Sequence, residues 1–182
     1  MRAIARIWWT IHNDRRGMAA TEFALVAPFL ILLYVGSFQL ADAIAASRKV
    51  TVTTRSLADL TSQYISVSTT DIDVVLKSAS KVITPYDATE GTFIVTHITT
   101  NGGGHSKVDW SRSYNGKTTS EGYAKNTKMD LPSSAAKLGS SIIMAEVSYE
   151  YRPYVAPSML RALTLTDTIY MLPRRSSSIA RN

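Results

Sequence analysis

The spacing of apolar positions changes character twice along the chain. From Phe23 to Ala41, nineteen consecutive residues carry no charge, and only Ser37 and Gln39 interrupt the apolar run. As an α-helix this stretch is about 28 Å long, close to the hydrocarbon thickness of a bilayer. A helix of a soluble core carries a polar stripe, which is missing here, so the pattern predicts a membrane-spanning helix. Pro28 and Gly36 are compatible with that, because both are tolerated in membrane helices.

Beyond Leu40 the apolar residues become periodic. Val50, Leu57, Leu60 and Tyr64 mark a helical face that carries the helix to about Gln63. Thr51-Val-Thr-Thr54 lowers helix propensity, so a continuous helix and one broken near residue 50 are both open. Such a stem either packs in an assembly or docks on its own domain. A second helix, N-capped by Thr70 or Asp71, shows an apolar face of Ile72, Val75, Leu76, Ala79, Val82 and Ile83, and stops before Pro85.

The pattern then switches to strands. Thr92 to Thr99 is rich in β-branched residues, Asn101 to Gly104 reads as a turn, and Lys107 to Tyr114 as the returning strand. The glycines lack the spacing of a phosphate loop. Residues 115–140 are polar and loop-rich. Ser140 to Arg152 reads as a strand, with Val147, Tyr149 and Tyr151 on one face and Glu146, Ser148 and Glu150 on the other. Met159 to Leu165 reads as a short helix and Asp167 to Leu172 as a final strand. The expected fold is α+β: a long N-terminal transmembrane helix, then a small, mostly antiparallel sheet with one or two packed helices. The expected divisions are a basic leader (1–17), a transmembrane helix and stem (18–65), an exported head (66–173) and a basic tail (174–182).

Charge orients the membrane segment. The chain of 182 residues has a formal net charge of +6. Four arginines, Arg2, Arg6, Arg15 and Arg16, against Asp14 give the leader +3 of that. The positive-inside rule therefore places the leader in the cytoplasm and the head across the membrane. The leader's Trp8 and Trp9, with Ile4, Ile7 and Ile11, fit an interfacial amphipathic segment as well as a disordered basic tail. The remaining charge is spread thinly, so no nucleic-acid partner is expected. The chain contains no cysteine, which excludes disulfides, thiolate zinc sites and cysteine nucleophiles.

Three export signals compete for this N-terminus. A secretory signal cut at Ala43-Ile44-Ala45 is argued against by the length of the apolar run. A twin-arginine signal has its pair in Arg15-Arg16, but Glu22 intrudes before the apolar core. A prepilin-type signal, cut after Gly17 on the cytoplasmic side, gives Glu22 a task. Met18 then becomes the N-terminus and Glu22 the fifth residue, one helical turn on, where its carboxylate can pair with an α-amino group. The competing reading is an interfacial glutamate that snorkels to the headgroups.

Gly17-Met-Ala-Ala-Thr-Glu22-Phe23-Ala-Leu-Val-Ala-Pro28 resembles the N-terminus of TadE-like proteins, minor pilins or pseudopilins of the tight-adherence (Tad, Flp) pilus system. Val147-Ser-Tyr149-Glu-Tyr151-Arg-Pro153 and Pro173-Arg174-Arg175 are similar to the late part of that family's pattern. Major Flp pilins are far shorter and carry Glu-Tyr where this chain has Glu22-Phe23, which favours the pseudopilin branch. The resemblance implies cleavage between Gly17 and Met18 by a prepilin peptidase, and a role for Glu22 and Phe23 in assembly and register. It also implies partners among other pilins and pseudopilins and an inner-membrane assembly platform, with localisation in a bacterial inner membrane or the pilus. Small residues at Ala19, Ala20, Ala24 and Gly36 suit close packing of pilin helices.

No catalytic constellation is legible. His12, His97 and His105 lack metal-site spacing, and no serine sits in a G-x-S-x-G elbow. No metal, no cofactor and no enzymatic activity are expected. The alternative function is an uncleaved single-pass protein whose periplasmic domain binds a ligand or the envelope. A soluble enzyme released after Ala45 is the third possibility.

Overall fold

A computed structural model describes residues 16–101, 104–136, 141–153 and 162–182. The chain divides into two compact units, Met1–Asp42 and Ala43–Asn182. Residues 43–65, expected as a stem, therefore belong to the same unit as the head.

Helix α1 runs unbroken from Arg16 to Ser62, with Pro28 inside it. No break occurs near residue 50, for a local reason. The hydroxyls of Thr53, Thr54 and Thr61 each donate to the carbonyl four residues back, at 2.8–2.9 Å. A threonine that returns its hydroxyl to its own helix carries no unpaired polar group and can be buried. Thr53, Thr54 and Thr61 are all buried.

The second unit is a two-layer α+β domain. Helix α2, Thr69–Ser80, starts two or three residues earlier than the sequence suggested. Its N-cap is Ser68, and Asp71 is instead the N3 residue of a capping box: Ser68 Oγ accepts from the Asp71 amide, while Asp71 Oδ2 accepts from the Ser68 amide at 2.9 Å. The Ser68 hydroxyl, donating to Asp71 Oδ2 at 2.6 Å, and after it the Ser68 amide hold the Asp71 carboxyl below its usual pKa.

The main sheet has six strands among the described residues. Strands β2 (Gly91–Thr100), β3 (Ser106–Tyr114), β6 (Ser141–Tyr151) and β7 (Leu163–Met171) do most of the pairing, and the short β4 (Thr119–Glu121) and β5 (Lys128–Met129) lie along β3. The order is β4-β3-β2-β6-β7 with β5 also on β3, and every pairing is antiparallel. A short helix α3, Ser133–Ala136, interrupts the expected loop.

One face of the sheet forms the core. Phe93, Val95, Ala145, Val147, Tyr149 and Tyr151 share a single apolar cluster with Ala46, Val50, Leu57 and Ala58 of α1 and Ile72, Val75, Leu76 and Ala79 of α2. The alternation read along β6 is present: Val147, Tyr149 and Tyr151 are buried, and Glu146, Ser148 and Glu150 are half-buried on the other face. The stem face is shifted from the one expected, since Leu60 is exposed and Ala46, Thr54 and Ala58 take its place.

Two C-terminal expectations are corrected. Residues 163–165 are not helical but open strand β7, which starts four residues before Asp167; residues 159–161 lie outside the described residues. Leu163-Thr-Leu-Thr-Asp-Thr-Ile alternates apolar and polar positions, and pairing with β6 turns that alternation into strand. Residues 174–182 do not trail off as a tail. Strand β8 (Ala180–Arg181) pairs in parallel with β1 (Ser66–Val67), Ile179 is fully buried, and Trp110 Nε1 donates to the Ile179 carbonyl at 2.8 Å. Arg174 also ties back to α1, its amide donating to the Ser62 carbonyl and its guanidinium 2.7 Å from Asp59.

Among the described residues, three buried side-chain atoms lack a partner: Glu146 Oε2, Asp167 Oδ2 and Ser176 Oγ. Each such group costs about 1–3 kcal/mol, more for a charge.

Leu57 is fully buried in the core cluster, whereas Leu33 is 53% exposed. Leu57→Ala is expected to destabilise the domain by about 2–5 kcal/mol in urea unfolding of the detergent-solubilised chain. Leu33→Ala is expected to leave the same transition within about 0.5 kcal/mol.

Candidate functional site

Among the described residues of the first unit, no buried apolar cluster explains its composition. Along α1 from Met18 to Leu40, every leucine and phenylalanine is exposed, Leu25 by 81%, as are Met18, Val26 and Ile31. α1 is long and apolar enough to cross a membrane. Its polar residues are adapted to an apolar surround: Ser37 Oγ donates to the Leu33 carbonyl and Thr21 Oγ1 to the Met18 carbonyl, both at 2.8 Å.

Gly17, Met18, Ala19, Ala20, Glu22, Phe23 and Ala24 all lie on the first turns of this helix and are exposed, as is Gly36. Arg16 opens the helix, and Arg15 lies outside the described residues, as does the rest of the leader before it. At 100° per residue, Met18 and Glu22 share a face, and Gly36 falls on that face too. Ala20 and Ala24 lie on another, with Gly17. Ala19 lies between these two, so the small residues expected to pack together are spread over three sides of the helix.

The glycines have no role in this chain's own packing. A Cβ at Gly17 or at Gly36 would meet nothing within 4 Å, and neither has a positive φ. Glycine in a helix costs about 1 kcal/mol relative to alanine. The fold gives no return for that cost at either position.

Residues 17–59 match the family model described as TadE-like protein. The TadE-like segment thus covers the exposed apolar stretch and the part of α1 that enters the head's core. Residues 147–153 and 173–175, which resemble the late part of the family pattern, lie outside the match. Comparisons with curated proteins and with solved structures return no match. The TadE-like segment and the exposed apolar helix fit a membrane-anchored protein associated with a Tad pilus.

In the head the structure assembles one constellation that the sequence does not reveal. His97 Nδ1 lies 3.2 Å from Asp109 Oδ2, and His97 Nε2 lies 2.8 Å from Ser141 Oγ. A carboxylate only accepts, so Nδ1 carries the proton and Nε2 accepts from the serine hydroxyl. The connectivity is that of a nucleophilic triad. However, His97 is fully buried, its ring stacks on Trp110 at 5.6 Å, and Ser141 is 6% exposed. Enclosure on this scale suits a strut joining β2, β3 and β6. A register shift at His97/Ile98 is what turns Asp109 toward the ring.

A second polar network ties α2 to the C-terminal segment. Arg112 reaches Asp73 at 2.8 Å and Glu121 at 3.3 Å, and Arg181 holds Glu121 at 2.8 Å. The Arg181 hydrogen bond, more than any other contact, holds the Glu121 carboxyl below its usual pKa. Beside it Asp109, Trp110, Glu121, Tyr123, Lys125 and Arg181 line a groove of about 420 Å³. Most of its charge is already internally paired, Lys125 with Asp109 and Arg181 with Glu121. Among the described residues, no group of three or more His, Asp and Glu side chains is placed to hold a metal ion.

Burial pushes the His97 pKa below its ordinary 6.5, against the opposing pull of Asp109. Below pH 6.5 the unfolded chain therefore binds a proton that the folded one does not, and stability falls as pH drops toward the lowered folded value. The head's melting temperature is expected to be flat above about pH 7 and to decline below pH 6.5, and His97→Gln is expected to flatten that decline. Glu121 contributes a separate loss at lower pH, below the ordinary carboxylate pKa, as its ion pair with Arg181 is protonated away.

Proposed function

We propose that the protein is a TadE-like pseudopilin of a Tad (Flp) pilus. It is inserted with its N-terminus in the cytoplasm and cut between Gly17 and Met18 by a prepilin peptidase. The helix is retained, and the mature protein acts in pilus initiation or structure. Its partners on this reading are other pilins and pseudopilins, the peptidase, the inner-membrane assembly platform and membrane lipid. It performs no chemistry of its own.

The observation that carries this reading is the placement of one carboxylate. Glu22 lies at the N-terminal edge of an exposed apolar helix, four residues from Met18 and on its face. After cleavage the Met18 α-ammonium opens that helix one turn before Glu22. The pair, within one chain or between neighbours, then neutralises a carboxylate that is costly at the edge of hydrocarbon. The helix N-terminus adds to this, since its unsatisfied amides favour negative charge.

Gly17 supports the same reading. It sits at the start of the described helix, and glycine weakens a helix where it stands. A peptidase needs an extended strand in its cleft, so the scissile bond benefits from a turn that opens easily. A Cβ at Gly17 would meet nothing within 4 Å, which supports a glycine kept for recognition from outside.

A second reading is an uncleaved single-pass protein whose periplasmic domain binds a ligand or the envelope. The groove beside Trp110 and Tyr123 favours it, although most of its charge is already paired.

Intact-mass measurement of the native membrane protein separates the two. The expected N-terminus is Met18 when the peptidase is present and Met1 when it is deleted. Gly17→Leu, at an exposed position, is expected to keep the head's melting temperature while leaving the full-length mass. An unprocessed native protein, or a Gly17→Leu chain that supports normal piliation, overturns the pseudopilin reading. Glu22→Ala is expected to leave processing intact and to reduce piliation by about tenfold, the scale of a lost partly buried ion pair.

A further inference from the structure

The two edges of the main sheet are finished differently. Along β3 the outer side is broken into the short strands β4 and β5, separated by Gly122, whose backbone approaches the Ser111 side chain too closely to admit a Cβ. The opposite edge is β7, nine residues paired, among the described residues, on one side only, with β6. At about 3.4 Å per residue it offers roughly 30 Å of unpaired backbone.

Proteins blunt such an edge with lysine, proline, a bulge or a covering element. Strand β7 contains no lysine, arginine, proline or glycine. Leu163, at its start, is 52% exposed. Its single charge is Asp167, at the midpoint and opposite Val147, on the face that carries Leu165, Ile169 and Met171. Asp167 Oδ1 accepts from the Thr168 amide at 3.0 Å. Asp167 Oδ2 is buried and has no partner among the described residues.

We propose that the outer edge of β7 is the docking site for an extended segment of another protein, one that adds as a further strand and brings a lysine or arginine to Asp167. Strand addition satisfies the open backbone groups. The cation satisfies the orphaned carboxylate oxygen, and this selects the partner.

A second copy of β7 does not meet the requirement. Residues directly opposite in paired strands lie on the same face of the joint sheet. In an antiparallel two-fold pair Asp167 would face only Leu163, Leu165, Asp167, Ile169 or Met171 of its twin; slipped by one residue it would meet a threonine or tyrosine hydroxyl. In no register does a second β7, which has no lysine or arginine, bring a cation to the carboxylate. The occupant is thus heterotypic, with apolar side chains flanking one cation on its core-facing side. This holds whether or not the chain is cleaved at Gly17.

The probe is an end-blocked peptide of about eleven residues in which threonine and valine alternate, with a lysine at the centre of the valine register. The control carries norleucine in place of lysine. Titrated into the full-length, isotope-labelled protein in detergent micelles, the lysine peptide is expected to move the amide resonances of Leu163–Met171. It is expected to bind about tenfold more tightly than the control. Asp167→Leu is expected to fold with an unchanged or raised melting temperature and to lose the preference for lysine. Asp167→Asn is expected to lose it too, and is the variant read if the leucine chain does not fold. Shifts confined to other strands, equal affinity for the two peptides, self-association through β7, or a lysine preference that survives in the Asp167 variants each overturn the proposal.

Discussion

The apolar seam between the second half of α1 and the core face of the sheet is the contact on which the remaining structure depends. Ala46, Val50, Leu57 and Ala58 supply it from the helix side, beside the α2 residues Ile72 and Leu76. Without it, Val95, Ala145 and Val147 lose part of their cover, and a sheet with one bare apolar face is not stable in water. One helix thus satisfies two solvents. Its first turns have the composition a bilayer demands, and its last turns carry a face that only a protein interior would hide. A head cut away from the end of α1 would lose the cover that Ala46, Val50, Leu57 and Ala58 give its core.

The TadE-like match ends at residue 59, close to the end of that helix. The head beyond it is held together by devices that leave little trace in local sequence. The His97 strut joins residues 12 and 44 positions apart, and the Arg112 network joins α2, β3, β4 and β8. Burial makes both matter. An imidazole cut off from water needs both its nitrogens satisfied, and Asp109 and Ser141 provide the one donor–acceptor arrangement that does so for a neutral ring.

Much of the architecture was legible because it rests on periodicity. The apolar run of α1, the face of α2 and the alternation in β6 are strong local patterns, and the structure follows them. Where expectation and structure part, a specific contact intervenes. Thr51 to Thr54 argue for a break, but the hydroxyls of Thr53 and Thr54 bond back into the helix. Thr70 and Asp71 each have the chemistry of a cap, but Ser68 stands three residues before the acid that completes a capping box. The final residues read as a loose basic tail, because two-residue strands have no period to detect and Arg181 shows its purpose only once Glu121 is beside it. The candidate residues at the N-terminus stand out in the sequence because they are consecutive. The His97 constellation was not, since its members meet only through strand register.

The parallel pairing of β1 with β8 also dictates when the domain can finish folding. Ser66 meets Ala180 across almost the whole length of the head, and Ile179 seals Trp110 from the same end of the chain. Closing so long a loop is entropically unfavourable and kinetically late. A polypeptide delivered in order from its N-terminus can therefore close this pairing, and seal Trp110, only once nearly its last residue has arrived.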